Sequence, residues 1–245
     1  MSEQITPVAL VTGAGSGIGR AVARQLGAAG YRVVLVGRRA DALEETAASL
    51  PEGCESLCVP ADVSDPASGH VMVTTCLGRF GRLDVLVNNA GVAPLKPIDQ
   101  TDAELIQQAF FTNAIGPACT IAAAWMVFRR QFTEQRMAPR GHCVINISTL
   151  GTLDPFPGFF AYAASKAGLN LMARSCAKEG AAIGVRAFAV APGAVETPML
   201  RGLFDPATLP SEACMTAEEV AEEVMACVNG ERDQKNGETI FMSRT

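Results

Sequence analysis

The stretch VALVTGAGSGIGRAVARQL, residues 8–26, decides the fold. It begins with an apolar β-type run and continues, from about residue 17, into a helical pattern. Four glycines at alternate positions between 13 and 19 lie at the junction, where residues without a side chain allow a tight turn. A strand that passes through glycines directly into a helix is typical of the first unit of a parallel α/β sheet.

The same alternation continues along the rest of the chain. Short β-type runs recur, and several are apolar on both faces, as parallel strands covered on two sides are. These runs are PVALVTG, YRVVLVG, SLCVPAD, LDVLVNNAG, HCVINIS, VRAFAVAPG and ETIFMS. Helix-like segments lie between them, near 17–29, 39–49, 66–80, 102–137, 161–180 and 217–229. The pattern predicts a doubly wound α/β sheet.

One domain is expected over residues 1–245, because no linker, repeat or low-complexity segment interrupts the alternation. The exception is LRGLFDPATLPSEACM, residues 200–215, which contains two prolines and few periodic positions. We interpret residues 198–215 as a substrate loop with a short helix. Loops of this length in compact domains often close over a ligand, although poor order alone would give the same composition.

The composition argues against several classes of function. The net charge of −5 and the absence of a Lys/Arg run longer than a pair disfavour nucleic-acid binding. The eight cysteines are scattered without a CxxC pair, which favours free thiols in a reducing compartment. His70 and His142 are the only histidines, so we expect no metal site. With no apolar run of ~18 residues and no signal peptide before the first strand, a cytoplasmic protein without a membrane span is expected.

The glycine turn suits a phosphate group. Backbone N–H groups at a helix N-terminus can approach an anion closely when no side chain intervenes, and the helix dipole stabilises the negative charge. The spacing TGxxxGxG differs from the GxGxxG of the general dinucleotide fingerprint, so the interpretation depends on its position after the first strand. We therefore predict that residues 13–19 bind a nucleotide cofactor.

The end of the second predicted strand bears on which nucleotide is bound. Proteins that hold an unmodified ribose commonly place an acidic residue there, which accepts hydrogen bonds from the 2′-hydroxyl. Here Gly37 is followed by Arg38 and Arg39. A missing carboxylate removes repulsion of a 2′-phosphate, and a guanidinium can pair with that phosphate through two hydrogen bonds. This favours NADP(H), with NAD(H) remaining open if the two arginines merely begin a solvated helix.

Four motifs together resemble the short-chain dehydrogenase/reductase family. They are TGAGSGIG, LVNNAG, YAASK and APGAVETPM, in this order along nearly the whole chain. The resemblance implies a Rossmann-type, doubly wound parallel sheet of about seven strands with helices on both faces, in a homo-oligomer (tetramer or dimer). It also implies the cofactor-binding residues Gly13, Gly15, Ser16, Gly17, Ile18, Gly19, Arg38, Asp62, Val63, Asn89, Ala90, Gly91, Tyr162, Lys166, Pro192, Gly193 and Thr197.

Tyr162 and Lys166 are the predicted catalytic pair. They are four residues apart in a helical segment and therefore share one face. An ammonium near a phenol favours the phenolate and lowers the pKa of the tyrosine from about 10 toward neutral pH. The tyrosine can then exchange a proton with a substrate oxygen while a hydride passes to or from the nicotinamide. The alternative is a solvated Tyr–Lys pair without a chemical role.

Asn113 resembles the family's helical asparagine that supports a bound water. Pro117, four residues later, has no N–H, so the carbonyl of Asn113 loses its helical donor. A freed carbonyl inside a protein commonly binds an ordered water. We predict that this water continues a proton relay from Lys166 to solvent; the alternative is a proline kink that serves packing alone.

Two adjacent hydroxyls compete for the role of assistant to Tyr162. In the family a serine thirteen positions before the tyrosine steadies the substrate oxygen, and here that position is Thr149. Threonine offers the same donor and acceptor, with a methyl group that restricts χ1. Ser148 remains the alternative, but neighbouring residues of a strand point to opposite faces, so only one of the two should serve.

Aromatic residues near Tyr162 predict an apolar substrate pocket. The candidates for its wall are Phe156, Phe159, Phe160, Met199, Leu200, Leu203 and Phe204. The alternative for each is packing in the core or between subunits. Asp154 is a candidate polar contact. A substrate on an acyl carrier would call for a basic patch at the entrance, for which Lys96, Arg129 and Arg201 are available.

The function predicted from these observations is hydride transfer between NAD(P)(H) and the carbonyl or alcohol carbon of a small, apolar substrate. An NADPH-dependent ketone or 3-oxoacyl reductase is the favoured form. The alternative is a nucleotide-binding scaffold or sensor of the same fold without turnover, which would tolerate loss of Tyr162 or Lys166.

Overall fold

The seven β-type runs form one parallel sheet in the computed structural model, which describes residues 5–244. The strands are β1 Val8–Thr12, β2 Arg32–Gly37, β3 Ser56–Pro60, β4 Val85–Asn88, β5 His142–Ile147, β6 Val185–Pro192 and β7 Thr239–Met242. Their order across the sheet is β3-β2-β1-β4-β5-β6-β7, and every pairing is parallel. The predicted Rossmann-type α/β fold is confirmed.

Helices cover both faces of the sheet. They are α1 Gly17–Ala28, α2 Ala40–Ala48, α3 Ser68–Phe80, α4 Ala103–Phe110, α5 Gly116–Thr133, α6 Phe160–Gly180, α7 Pro198–Arg201 and α8 Ala217–Val228. One face packs mainly against α1 and α8, and the other mainly against α3, α5 and α6. Alternate strand residues supply the two cores: Val11 and Leu35 lie in the first, and Leu10 and Val34 lie in the second. This explains why the strands are apolar on both faces.

The sheet order places a crevice between β1 and β4. From β1 the chain adds β2 and β3 on one side, and it then crosses back to add β4 through β7 on the other. Ala9 accordingly pairs with Val33 on one side and with Val85 on the other. Such a reversal is the usual ligand site of an open α/β sheet, at the carboxyl ends of the strands.

The predicted helix at 102–137 is interrupted and shorter than expected. A π-helical turn, Phe111–Ile115, separates α4 from α5, and α5 ends at Thr133. In this turn the Gly116 N–H donates to the Phe111 carbonyl, five residues earlier. The turn lies directly before Pro117, which has no N–H to donate, so the irregularity has an identifiable cause.

The continuous helical stretch Ala103–Thr133 is long and apolar enough, with a mean hydropathy of 1.4, to cross a membrane by length and composition. This stretch is an exception to the prediction that no apolar run reaches the length of a membrane span. In the fold it is a core helix, because Ile121, Ala124, Val127 and Phe128 are buried against the sheet and α3.

Arg82 and Asp84 form a buried ion pair at the amino edge of the sheet, opposite the crevice. The guanidinium of Arg82 donates to both carboxylate oxygens of Asp84, at 2.7 and 2.8 Å, and the residues are only 8% and 1% exposed. The Val8 N–H also donates to this carboxylate at 2.8 Å. Gln131 of α5 bonds both the N–H and the carbonyl of Leu83. These contacts join the starts of β1 and β4 to α5.

Candidate active site

A cleft of about 1070 Å³ opens at the carboxyl edge of the sheet, beside the reversal of strand order. Its walls come from the residues that follow β1 through β6, together with α4, α6 and the segment after Thr197. Residues far apart in the sequence meet there because parallel strands all end at this edge.

The cleft brings together all but one of the residues predicted to bind the cofactor. Those that line it are Gly13, Gly15, Ser16, Gly17, Ile18, Arg38, Asp62, Val63, Asn89, Ala90, Gly91, Tyr162, Lys166, Pro192, Gly193 and Thr197. Gly19 lies outside this lining. A Cβ at Gly19 would overlap the carbonyl oxygen of Gly13 and lie 2.5 Å from Nδ2 of Asn89. Its missing side chain therefore lets α1 pack closely on the turn.

The glycine turn fits a phosphate because side chains are excluded from it. Gly13 and Gly17 have φ values of +66° and +51°, in the left-handed region that favours glycine. A Cβ at Gly13 would lie 2.7 Å from Nδ2 of Asn89, and one at Gly17 would lie 3.0 Å from Cγ2 of Thr197. The exposed N–H groups at the start of α1 are thus left open to an anion.

Thr12 holds the two sides of the crevice together, a role that the sequence analysis missed. Its hydroxyl oxygen accepts hydrogen bonds from the N–H groups of Asn89 and Ala90, each at 3.0 Å. Asn89 returns a hydrogen bond from Nδ2 to the Thr12 carbonyl at 2.8 Å. Two tight junctions, after β1 and after β4, are therefore fixed relative to each other before any ligand binds.

Arg38 lies exposed at the end of β2, where the prediction places the ribose phosphate. Among the described residues it forms no ion pair with an acidic side chain. Asp62 follows the neighbouring strand β3 and accepts hydrogen bonds from the N–H and hydroxyl of Ser64, at 2.9 and 2.8 Å. These hydrogen bonds, with a smaller contribution from Arg38, lower the pKa of Asp62. The guanidinium thus has donors free for a ligand.

Lys166 lies buried behind Tyr162 on α6. Its Nζ donates to the Ile147 carbonyl at 2.7 Å, which uses one of its three donors. Burial lowers the pKa of Lys166 to about 8. The expected lowering of the tyrosine pKa by this ammonium is not found. Burial instead raises the pKa of Tyr162, and the nearby Thr149 side chain opposes that rise.

The two candidate hydroxyls, at the end of β5, face different partners. Ser148 donates from Oγ to the Lys166 carbonyl at 3.4 Å and is only 3% exposed. The Thr149 side chain is near enough to Tyr162 to lower the pKa of its phenol, and its Oγ1 accepts the Gly151 N–H at 3.3 Å. Both residues line the cleft, but only the threonine hydroxyl adjoins the phenol. Neighbouring residues of an extended chain point to opposite sides, which explains why Ser148 and Thr149 have different partners.

Asn113 is fully buried in the π-helical turn and does not line the cleft. Its side chain accepts the Val92 N–H at 2.9 Å and donates to the Val92 carbonyl at 2.8 Å. It also donates to Oγ of Ser165 at 3.0 Å. These bonds tie the loop after β4 to α6, so Asn113 positions the backbone beside Lys166. The water relay from its carbonyl stays a prediction.

The aromatic residues predicted for the substrate wall divide into two groups. Phe156 and Phe159 line the cleft with ring centroids 3.6 Å apart, and Phe159 meets Tyr162 edge-on at 5.1 Å. Phe204 lies 6.3 Å from Phe156 and completes this aromatic wall. Phe160 does not line the cleft; it starts α6 and is 48% exposed.

Other residues of the substrate end were predicted only in part. Met199, Leu200, Leu203 and Asp154 line the cleft as expected. A face of α4 that the sequence analysis missed also lines it, through Glu104, Gln107, Gln108 and Phe111. Their spacing of three, four and seven residues is that of one helix face and would have indicated them.

The suggested basic patch does not form at the entrance. Lys96, Arg129 and Arg201 are absent from the lining, and Arg201 pairs with Glu196. The charged side chains at the substrate end are Glu104 and Asp154.

Comparisons with known proteins agree with this geometry. A family model described as short chain dehydrogenase matches residues 7–207. Granaticin polyketide synthase putative ketoacyl reductase 2 of Streptomyces violaceoruber is 37% identical over 235 residues, which cover 91% of this chain and 89% of that protein. The 2-(R)-hydroxypropyl-CoM dehydrogenase of Xanthobacter autotrophicus is 31% identical over 245 residues, covering 96% of each. Among solved structures, levodione reductase superposes with a TM-score of 0.88 at 28% identity, covering 97% and 96% of the two chains.

Proposed function

The chain belongs to the short chain dehydrogenase family, and from that premise we propose that it is an NADPH-dependent reductase of ketones or 3-oxoacyl groups. As a member it is an oxidoreductase that acts on CH–OH groups with NAD(P). The observation that carries the proposal is the convergence of Tyr162, Thr149 and Lys166 in the lining of one cleft. The exposed Arg38 at the other end of the same cleft supports the choice of NADPH.

Each residue of the site has a separate task in this reaction. The bound nicotinamide supplies the hydride. Tyr162 donates its phenolic proton to the substrate oxygen, and the raised pKa keeps this proton in place at neutral pH. Thr149 donates to the same oxygen and fixes its position. Lys166, anchored by the Ile147 carbonyl, has two donors left to hold a ribose hydroxyl and to stabilise the phenolate that forms.

A substrate bound in the cleft would lie against apolar side chains close to the reacting atoms. The aromatic wall of Phe156, Phe159 and Phe204 adjoins the phenol of Tyr162 on the side where a substrate would lie. Burial in such a wall strengthens the hydrogen bonds from Tyr162 and Thr149. It also favours a substrate whose carbonyl carries apolar groups.

Loss of the Arg38 guanidinium tests the choice of cofactor. The variant Arg38→Ala is expected to weaken NADPH binding by roughly 10- to 150-fold, because a charge-assisted hydrogen bond contributes about 1.5–3 kcal/mol. NADH binding should change little, since NADH has no 2′-phosphate. Dissociation constants of both nucleotides are measured from their fluorescence.

Two other arginine variants serve as controls for this measurement. Arg24→Ala removes an exposed positive charge of α1 that lies outside the cleft and should leave both affinities unchanged. Arg39→Ala tests the neighbouring guanidinium, which also lines the cleft. Tighter binding of NADH than of NADPH by the wild type would refute the preference for NADPH.

A second pair of variants separates the two adjacent hydroxyls. Thr149→Val is expected to lower kcat by about 10²-fold, as loss of one donor to a reacting oxygen does. Ser148→Ala should lower kcat by less than about fivefold, because it removes only a long hydrogen bond to the Lys166 carbonyl. Initial rates of NADPH oxidation at saturating ketone measure both, and the opposite ranking would assign the role to Ser148.

Membership of the family also bears on the assembly and the location of the protein. We infer a homo-oligomer, a tetramer or dimer, in the cytoplasm. Exposed apolar side chains of α5 and α6, namely Met126 (68% exposed), Phe132 and Leu171 (63% exposed), give such subunits apolar surface to bury.

A further inference from the structure

Arg201 is the last residue of α7 and belongs to the stretch of residues 196–214, called here the substrate segment. This segment leaves the sheet after β6 and returns through an isolated parallel bridge between Val195 and Met215. At the bridge the Glu196 N–H donates to the Met215 carbonyl, and the Met215 N–H donates to the Ala194 carbonyl, each at 2.8 Å. The two ends of the segment therefore meet, and its interior must be held by contacts of its own.

The guanidinium of Arg201 supplies those contacts. Its Nε donates to Oε1 of Glu196 at 2.7 Å, and Nη2 donates to the other carboxylate oxygen, which makes a two-pronged ion pair. Nη1 donates to the carbonyl oxygens of Phe204 at 3.3 Å and Leu209 at 2.8 Å. Nη2 also reaches Oγ of Ser211 at 3.2 Å. One side chain thus spans the segment from its start to its end.

These bonds fix the backbone of residues that face the cleft. Phe204 and Leu209 both line the cleft, whereas Arg201 and Glu196 do not. Phe204 also belongs to the aromatic wall in front of Tyr162. The hydrogen bonds from Arg201 hold the pKa of Glu196 at about 2, so the pair remains charged at any pH used for an assay.

We propose that Arg201, held by Glu196, is a positioning residue that sets the substrate wall of the cleft through the backbone of Phe204 and Leu209. The effect expected on the KM for a ketone rests on the proposed reductase function. Arg201 touches no reacting atom, so its loss changes the binding of the ketone more than the chemical step. A lysine cannot replace it, because an ammonium lacks the planar fork that bonds a carboxylate and two carbonyls at once.

The variants Arg201→Lys and Glu196→Gln test this proposal. Both are assayed with NADPH and 1-phenylpropane-1,2-dione, an uncharged aromatic diketone. We expect Arg201→Lys to raise the KM for the diketone about tenfold or more, with kcat reduced by less than about threefold. Glu196→Gln should give a smaller rise in KM, because the amide still accepts a hydrogen bond from Arg201.

Arg232→Lys is the matched control. Arg232 forms the same two-pronged pair with Glu223, at 2.6 and 2.9 Å, but neither residue lines the cleft.

Cleavage by chymotrypsin after Phe204 gives a second readout that needs no turnover. Arg201→Lys should accelerate this cleavage, and Arg232→Lys should not.

The two readouts separate failure of this inference from failure of the proposed function. An unchanged KM and an unchanged cleavage rate in Arg201→Lys would overturn the positioning role, as would equal changes in Arg232→Lys. A wild type that fails to oxidise NADPH with the diketone would count against the reductase function for this substrate. The cleavage rates would still decide whether Arg201 holds the segment.

Discussion

Replacing Tyr162 with phenylalanine is expected to lower kcat for ketone reduction by about 10²–10⁴-fold, the usual contribution of a positioned general acid. The variant removes only the phenolic hydroxyl. Its ring can keep the edge-on contact with Phe159, with centroids 5.1 Å apart, so the wall of the cleft is preserved. Binding of NADPH should therefore change far less than kcat does. Initial rates of NADPH oxidation and nucleotide fluorescence measure the two quantities.

Tyr31 provides the matched control, because the chain has two tyrosines. Tyr31 packs against the core that contains α1 and lies outside the cleft, so Tyr31→Phe should retain the wild-type kcat. The raised pKa of Tyr162 also predicts the pH profile. The protonated phenol is the proton donor for reduction, so the rate should persist through neutral pH and fall only under alkaline conditions. Full activity of Tyr162→Phe would refute the assigned role, whereas a wild type without turnover would favour the scaffold alternative.

Loss of the buried carboxylate of Asp84 is expected to have the largest effect on stability. The variant Asp84→Asn should lower the free energy of unfolding by about 3–5 kcal/mol, because it leaves the buried guanidinium of Arg82 without a counter-charge. The amide also presents a donor where the carboxylate accepts the Val8 N–H. Urea denaturation followed by circular dichroism measures the change.

An exposed ion pair supplies the comparison for this variant. Nε of Arg32 lies 2.8 Å from Oε1 of Glu55, and the two side chains are 33% and 46% exposed. Glu55→Gln should therefore lower the free energy of unfolding by less than about 1 kcal/mol. Equal losses in Asp84→Asn and Glu55→Gln would show that burial of the Arg82–Asp84 pair does not decide its contribution.

The fold could be predicted from the sequence because its signals are local. Each strand is a short apolar run bounded by a turn residue, and the glycines between 13 and 19 mark the first crossover. The position of the cleft then follows from parallel topology. Motif spacing pointed to Tyr162, Lys166 and Thr149, and all three line the cleft. These predictions required no knowledge of side-chain packing.

The remaining features depend on contacts between distant parts of the chain. The pKa of Tyr162 is raised because the effect of burial outweighs that of the Thr149 side chain, and burial is a tertiary property. The roles of Thr12 and Gly19 depend on the closeness of Asn89, which directly follows another strand, β4. Arg201 was a candidate for an external basic patch until the fold placed Glu196 beside it.

The bridge between Val195 and Met215 makes the substrate segment exchangeable. Because the chain departs and returns at neighbouring points, lengthening this segment changes its closure entropy by only about 0.6 kcal/mol for each doubling. A graft that keeps both ends of the bridge and Thr197 therefore leaves the sheet, the glycine turn and Tyr162 in place. Replacing the substrate segment can therefore change the range of substrates, without redesign of the part of the protein that binds the nucleotide.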